Sequence, residues 1–81
     1  MEKEIYSLRQ LPPGKSARVL RVDAEESQKE RLAELGLFPG AEIRCLFSAP
    51  AGDPRAYQLR GFTLALRNRD SSRILIRTDP E

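Results

Sequence analysis

Proline and glycine turns divide this chain of 81 residues into short segments. Such segments favour several short strands over a few long elements. A chain of this length forms one domain with a modest core, because larger sizes are needed before a second core appears. We therefore expect a single domain over residues 1–81, with residues 1–6 and 78–81 frayed at its ends.

Five segments have the apolar pattern of strands, which predicts five strands, and four of the segments alternate between apolar and polar residues at period two. In residues 16–22 the apolar parity slips, which indicates either a bulge or cover on both faces. In the next strand Ile43, Cys45 and Phe47 share the inward parity. The other strands contain Tyr57 with Leu59, Phe62 with Leu64 and Leu66, and Ile74 with Ile76. Short strands joined by tight turns favour a small, partly open β-barrel and a mainly β fold class.

Two segments carry helix signals. Residues 7–10 have the S-x-x-Q form of a capping box and predict a short N-terminal helical turn. Asp23 is a predicted helix N-cap, and the helix runs from there to about Leu35, between the first and second predicted strands. Gly36 ends it in a Schellman motif, in which Leu37 closes the helix with an apolar contact.

The composition excludes several kinds of chemistry. The chain has no His, no Trp and one Cys, so disulfide frameworks, His-based metal sites and His-dependent catalytic triads are excluded. No glycine-rich phosphate loop is present. Glu26, Glu30 and Glu34 recur every four residues, but we interpret them as a solvated helix face, since carboxylates alone make a weak and unselective metal site. We expect no catalytic residues, no cofactor and no metal ion.

The charge pattern is mildly basic. The net charge is +2, and residues 52–81 hold six Arg and four acidic residues, so the excess lies at the C-terminal end. This bias is smaller than that of a dedicated nucleic-acid-binding protein, and we expect no stable nucleic-acid complex. A nucleic-acid-binding barrel stays an alternative. No apolar run is long enough to span a bilayer and no signal peptide is apparent, so the expected location is the cytoplasm.

Four motifs in order resemble the FeoA family over residues 7–77. They are residues 11–14 (LPPG), 31–40 (RLAELGLFPG), 49–54 (APAGDP) and 60–67 (RGFTLALR). The resemblance implies an SH3-like barrel and a non-enzymatic role in bacterial ferrous iron uptake. It also implies a partner, the cytoplasmic part of the GTP-hydrolysing permease FeoB, whose assembly or activity the protein modulates at the inner-membrane face. Related domains form the C-terminal part of some iron-dependent repressors, so a free-standing regulator-type domain is another alternative.

The candidate partner-binding residues are apolar residues near the predicted turns and arginines of the basic end. The apolar group is Leu35, Leu37, Phe38, Leu46 and Leu75, and the basic pair is Arg60 and Arg67. Phe38 is an interface anchor if it points outward and a core residue if it is buried. Leu46 and Leu75 fall on the polar parity of their strands, and they form a docking patch only if they lie side by side. Weak self-association is also expected.

Overall fold

A computed structural model describes residues 4–78 of the chain. The strands are β1 (Glu4–Ser7), β2 (Ser16–Val22), β3 (Glu42–Ser48), β4 (Arg55–Leu59), β5 (Phe62–Leu66) and β6 (Ile74–Thr78). The helices are α1 (Glu26–Glu34) and α2 (Asn68–Ser71), with a 3-10 turn at Leu8–Gln10. The predicted N-terminal helical turn is therefore confirmed, and it carries both halves of the expected capping box.

The strands form one antiparallel sheet in the order β1-β6-β2-β3-β4-β5. Among the described strands β1 and β5 are the two edges, so the sheet is partly open and the predicted mainly β architecture is confirmed. There are six strands where five were expected, because residues 4–7 pair with β6. Residues 4–6 and Thr78, expected to be frayed, thus lie in paired strands. The other residues of the predicted frayed ends, 1–3 and 79–81, lie outside the described residues.

Two β-bulges set which side chains face inward. The register of β2 against β6 shifts between Val19 and Arg21, so of the two alternatives for the parity slip the bulge is the one observed. A second shift, between Cys45 and Phe47, interrupts the pairing of β3 with β4. An inserted residue reverses the parity beyond it. Phe47 is therefore 61% exposed, and its predicted place on the inward face is wrong.

Helix α1 differs from its prediction at the start and agrees with it at the end. Its N-cap is Glu25, which makes no side-chain capping bond. The predicted cap, Asp23, instead forms an ion pair with Arg21, with Nε and Oδ1 3.0 Å apart. At the C-terminus the amide of Leu37 donates to the Leu32 carbonyl at 2.8 Å, and Gly36 has a φ of +103°. These are the features of the predicted Schellman motif.

The core lies on the inner face of the curved sheet and beneath the 3-10 turn. Its largest fully buried side chain is Tyr57. Beside it lies a buried charged side chain, Arg55, whose guanidinium donates to the carbonyl oxygens of Arg9 and Leu11. The same guanidinium lies 3.2 Å from Cys45 Sγ, and its central carbon lies 5.9 Å from the centre of the Tyr57 ring. Arg55 therefore fastens the segment after β1 onto β4.

Candidate partner-binding surface

The loop after α1 presents one aromatic side chain to solvent. Leu37 is buried with 1% of its surface exposed, whereas Phe38 is 47% exposed. Phe38 precedes Pro39, which disfavours a helical backbone at Phe38. The loop is tied to β2, because the Gly40 amide donates to the Val19 carbonyl at 2.7 Å. Phe38 is thus an outward-pointing aromatic residue on a fixed loop, as an interface anchor requires.

An open cleft of about 760 Å³ lies beside this loop, and we call it the Phe38 cleft. It runs from the loop across β3 to the turn between β4 and β5. Its lining includes one exposed aromatic residue, a glycine and four charged residues, which are Phe38, Gly36, Arg18, Glu42, Arg44 and Arg60. A smaller recess of about 250 Å³ also has Phe38 in its wall. Phe38 therefore separates two concave surfaces, and both are accessible to a partner.

More exposed apolar surface surrounds Gly36. A Cβ atom added at Gly36 would lie 3.9 Å from Phe62 Cε1, so Phe62 packs next to the helix end. Leu35 and Phe62 are both exposed. Phe62 pairs with Leu59 and so takes the inward parity expected for it, but it begins the edge strand β5, where the sheet is open. Leu35 and Phe62 thus lie next to Gly36, whereas Phe38 is the aromatic residue that lines the cleft itself.

The floor of the Phe38 cleft is predominantly basic. Glu42 on β3 is the register partner of Arg18 on β2, and both side chains are exposed. One row along the sheet, Arg44 lies between Ser16 and Gln58. Arg60, just beyond the end of β4, also lines the cleft. Three arginines and one glutamate give the cleft a positive potential.

The structure brings together only some of the predicted site residues. Phe38 and Arg60 line the cleft, and Leu35 is exposed one residue before Gly36, which also lines it. Leu37 does not line the cleft, because it is part of the core with 1% of its surface exposed. Arg67 caps α2 at the far end of β5, about 15 Å along the strand from Phe62.

The two predicted strand leucines are not neighbours. Leu75 on β6 is the register partner of Arg21, near the C-terminal end of β2. Leu46 on β3 lies beyond Arg44, whose register partner Ser16 is the first residue of β2. That separation is roughly 20 Å along the strand, and both leucines are half-buried. The condition for a docking patch shared by Leu46 and Leu75, that they lie side by side, is therefore not met in the described structure.

Residues 4–78 carry neither a cluster of metal-binding side chains nor a membrane-spanning helix. No group of three or more Cys, Asp or Glu side chains in this range is arranged to hold a metal ion. Glu26, Glu30 and Glu34 are all exposed on α1. None of the described helices combines the length and the apolar character needed to cross a bilayer.

Comparison with known families identifies the chain. The model of the FeoA domain matches residues 6–78, which is nearly the whole sequence. The protein belongs to the FeoA family. The resemblance drawn from the four motifs is thereby confirmed. Members of this ferrous iron transport family are small accessory proteins with an SH3-like fold. The family is not an enzyme family, which agrees with the expected non-enzymatic role.

Individual relatives agree with this assignment. A FeoA-like protein of Clostridium acetobutylicum superimposes with a TM-score of 0.80 at 30% identity, covering 94% of this chain and 87% of the other. The FeoA of Stenotrophomonas maltophilia, described as a prokaryotic SH3 domain protein and solved with zinc, gives a TM-score of 0.74 at 32% identity, covering 86% and 87%. The predicted SH3-like fold is confirmed.

A longer relative carries the same domain within a larger chain. It is an Fe(2+) transport protein A/Fe(2+) transporter FeoB fusion protein of Porphyromonas gingivalis, 30% identical over 67 residues. The match covers 83% of this chain and 8% of the fusion protein. The present chain thus corresponds to a small part of that relative.

Proposed function

We propose that this protein is a non-enzymatic accessory protein of ferrous iron uptake that binds the cytoplasmic part of a FeoB permease and modulates its assembly or activity. The observation that carries the proposal is the Porphyromonas gingivalis fusion, in which a homologous segment shares one chain with FeoB. Covalent linkage gives two modules a high effective concentration, which favours their association. The protein would act in the cytoplasm, at the inner membrane only through its partner.

The Phe38 cleft supports this proposal as the docking surface. Phe38 supplies an exposed aromatic anchor in the cleft, and Arg60 supplies a charged rim. Interfaces commonly combine a few aromatic anchors, which account for most of the binding energy, with polar rims that exclude water. Leu46, Leu75 and Arg67 lie outside this cleft and stay predictions for a separate contact.

The proposal is tested by deleting the gene and measuring ferrous iron uptake at low external iron. We expect uptake to fall and to recover when the wild-type protein is restored. Restoring Phe38→Ala should leave uptake low, because the anchor is lost. The matched control is Phe47→Ala, which removes an equally large exposed ring outside the cleft.

Unchanged uptake in the deletion strain would overturn the proposed role in transport. Full recovery with Phe38→Ala would leave the role intact and exclude the Phe38 cleft as the docking surface. A pull-down of purified protein with the cytoplasmic part of FeoB then separates direct binding from an indirect effect. Size-exclusion chromatography of the protein alone tests the expected weak self-association.

A further inference from the structure

The outward face of the sheet next to the Phe38 cleft concentrates positive charge. Arg18 on β2 is the register partner of Arg77 on β6 and of Glu42 on β3. Like charges directly opposite each other across a strand pair are unfavourable. Arg44 and Arg60 extend the basic area onto β3 and past the end of β4. A single carboxylate, Glu42, therefore lies among four arginines.

Internal contacts leave this charge largely uncompensated. Within residues 4–78 the ion pair observed is that of Arg21 with Asp23, outside the Phe38 cleft. Arg18 Nη1 donates to the Gly40 carbonyl at 2.9 Å, which anchors the arginine without neutralising it. Arg44 and Arg60 are exposed. The guanidinium groups are available to carboxylates from another molecule.

We propose that the Phe38 cleft binds an acidic segment of its protein partner. Carboxylates of that segment pair with Arg18, Arg44 and Arg60, while one apolar side chain packs against Phe38. The inference rests on the proposed function, since it assigns this segment to the cytoplasmic part of FeoB. It specifies the chemistry of the partner, which the family assignment leaves open.

The geometry of the sheet sets the spacing of the acidic residues. Arg18 and Arg60 belong to elements two strands apart, a separation of about 10 Å. An extended peptide advances about 3.3 Å per residue. Two carboxylates two to four residues apart along an extended segment therefore match the two arginines.

A peptide fits this surface better than a nucleic acid. Glu42 lies beside Arg18 in the middle of the basic area and repels a continuous phosphate backbone, whereas a peptide can place a neutral or basic residue there. The net charge of the whole chain is only +2, which is small for a protein that neutralises several phosphates. One exposed aromatic ring at the cleft is an apolar anchor and not a stacking platform.

The first experiment measures binding of the purified cytoplasmic part of FeoB from the same organism at 50 and 300 mM salt. Each of Arg44→Gln and Arg60→Gln should weaken binding about two- to fivefold at low salt, mainly by slowing association. The salt dependence should become shallower in the double variant. Phe38→Ala should weaken binding tenfold or more at both salt concentrations.

The matched control is the double variant Arg69→Gln with Arg73→Gln, which removes the same charge from exposed positions outside the cleft. Its affinity should stay within twofold of the wild type. Equal affinity of the wild type and the Arg44/Arg60 double variant would overturn the acidic-segment inference while leaving the proposed function in place. Urea midpoints of all variants establish that they fold, since the substituted side chains are exposed.

The second experiment does not depend on FeoB. Its probe is a fluorescein-labelled peptide with two glutamates three residues apart and a leucine between them, compared with the same peptide carrying glutamines. Preference for the glutamate peptide, reduced by Arg44→Gln, would support the inference even if FeoB failed to bind and the proposed function were lost. Equal binding of the two peptides would overturn it. Stronger Arg44-dependent binding of a single-stranded oligonucleotide at 150 mM salt would also overturn it.

Discussion

Arg55 is a buried cation bonded to main-chain carbonyls, and its removal should destabilise the fold strongly. Its guanidinium donates to the carbonyl oxygens of Arg9 and Leu11 and lies against Tyr57. In Arg55→Ala these carbonyls lose their donors while the segment that carries them still covers β4. The perturbation therefore acts on the contact between the N-terminal segment and the rest of the sheet.

The magnitude follows from the lost contacts of Arg55. A buried acceptor left without a partner costs about 1–3 kcal/mol. Arg55→Ala leaves one such acceptor at Leu11 and a partly buried one at Arg9, whose cost is lower. The loss of the cation–π contact with Tyr57 adds about 0.5–1 kcal/mol. Water entering the space vacated by the side chain donates hydrogen bonds to these carbonyls and so reduces the cost. We therefore expect a loss of about 3–5 kcal/mol in the free energy of unfolding. A chain of this size has a total of about 4–12 kcal/mol.

The assay is urea denaturation at pH 7 followed by far-ultraviolet circular dichroism. Arg55→Lys keeps the charge but lacks the planar fork that serves two carbonyls, so it should lose about 1–3 kcal/mol. Arg69→Ala, an exposed arginine on α2, is the control and should change the free energy by less than about 0.5 kcal/mol. A loss below 1 kcal/mol for Arg55→Ala, or wild-type stability for Arg55→Lys, would refute the reasoning.

Three further predictions use the same denaturation assay. Gly36→Ala should lose about 1–2 kcal/mol through its positive φ alone, since the added Cβ meets no atom closer than 3.7 Å. Ile43→Ala should lose about 2–5 kcal/mol, whereas Phe47→Ala should lose under about 1 kcal/mol; similar losses would contradict the β3 bulge. Burial raises the pKa of Tyr57, so the folded state favours the neutral phenol. That contribution is complete below about pH 10 and is lost as pH rises from there through the raised pKa. Stability should therefore fall less steeply above pH 10 in Tyr57→Phe than in the wild type.

Sequence reasoning succeeded where local chemistry decides the structure. Gly36 ends α1 because only a residue tolerant of positive φ fits there, and that requirement is visible in the Leu-Gly-Leu pattern. The parity slip in β2 was visible because Val19 and Val22 are an odd number of positions apart, but the sequence left open whether a bulge or cover on both faces causes it. The β3 bulge was not visible, since Ile43, Cys45 and Phe47 fit a regular strand. Its position depends on pairing with β4, which is a non-local interaction.

The candidate site was predicted only in part, again because non-local contacts decide where some of its residues lie. Phe38 was visible because a large apolar residue precedes proline at a helix end. Arg18, Arg44 and Phe62 were missed, because they meet only through the order of the strands. Arg55 gave no signal of burial either, since arginine is mostly exposed in proteins.

Folding and the proposed docking depend on separate sets of residues in this small domain. Arg55, Tyr57 and Ile43 face the core, whereas Phe38, Arg44 and Arg60 face solvent around the cleft. Helix α1 has no fully buried side chain, although Leu32 packs half-buried against the core. The end of α1 at Gly36 places Leu37 in the core and Phe38 outside it. Because the side chains of the cleft set are exposed, their substitution should change the free energy of unfolding by about 0.5 kcal/mol or less. Substitutions in the cleft can therefore change partner affinity while the thin stability margin of the domain is preserved.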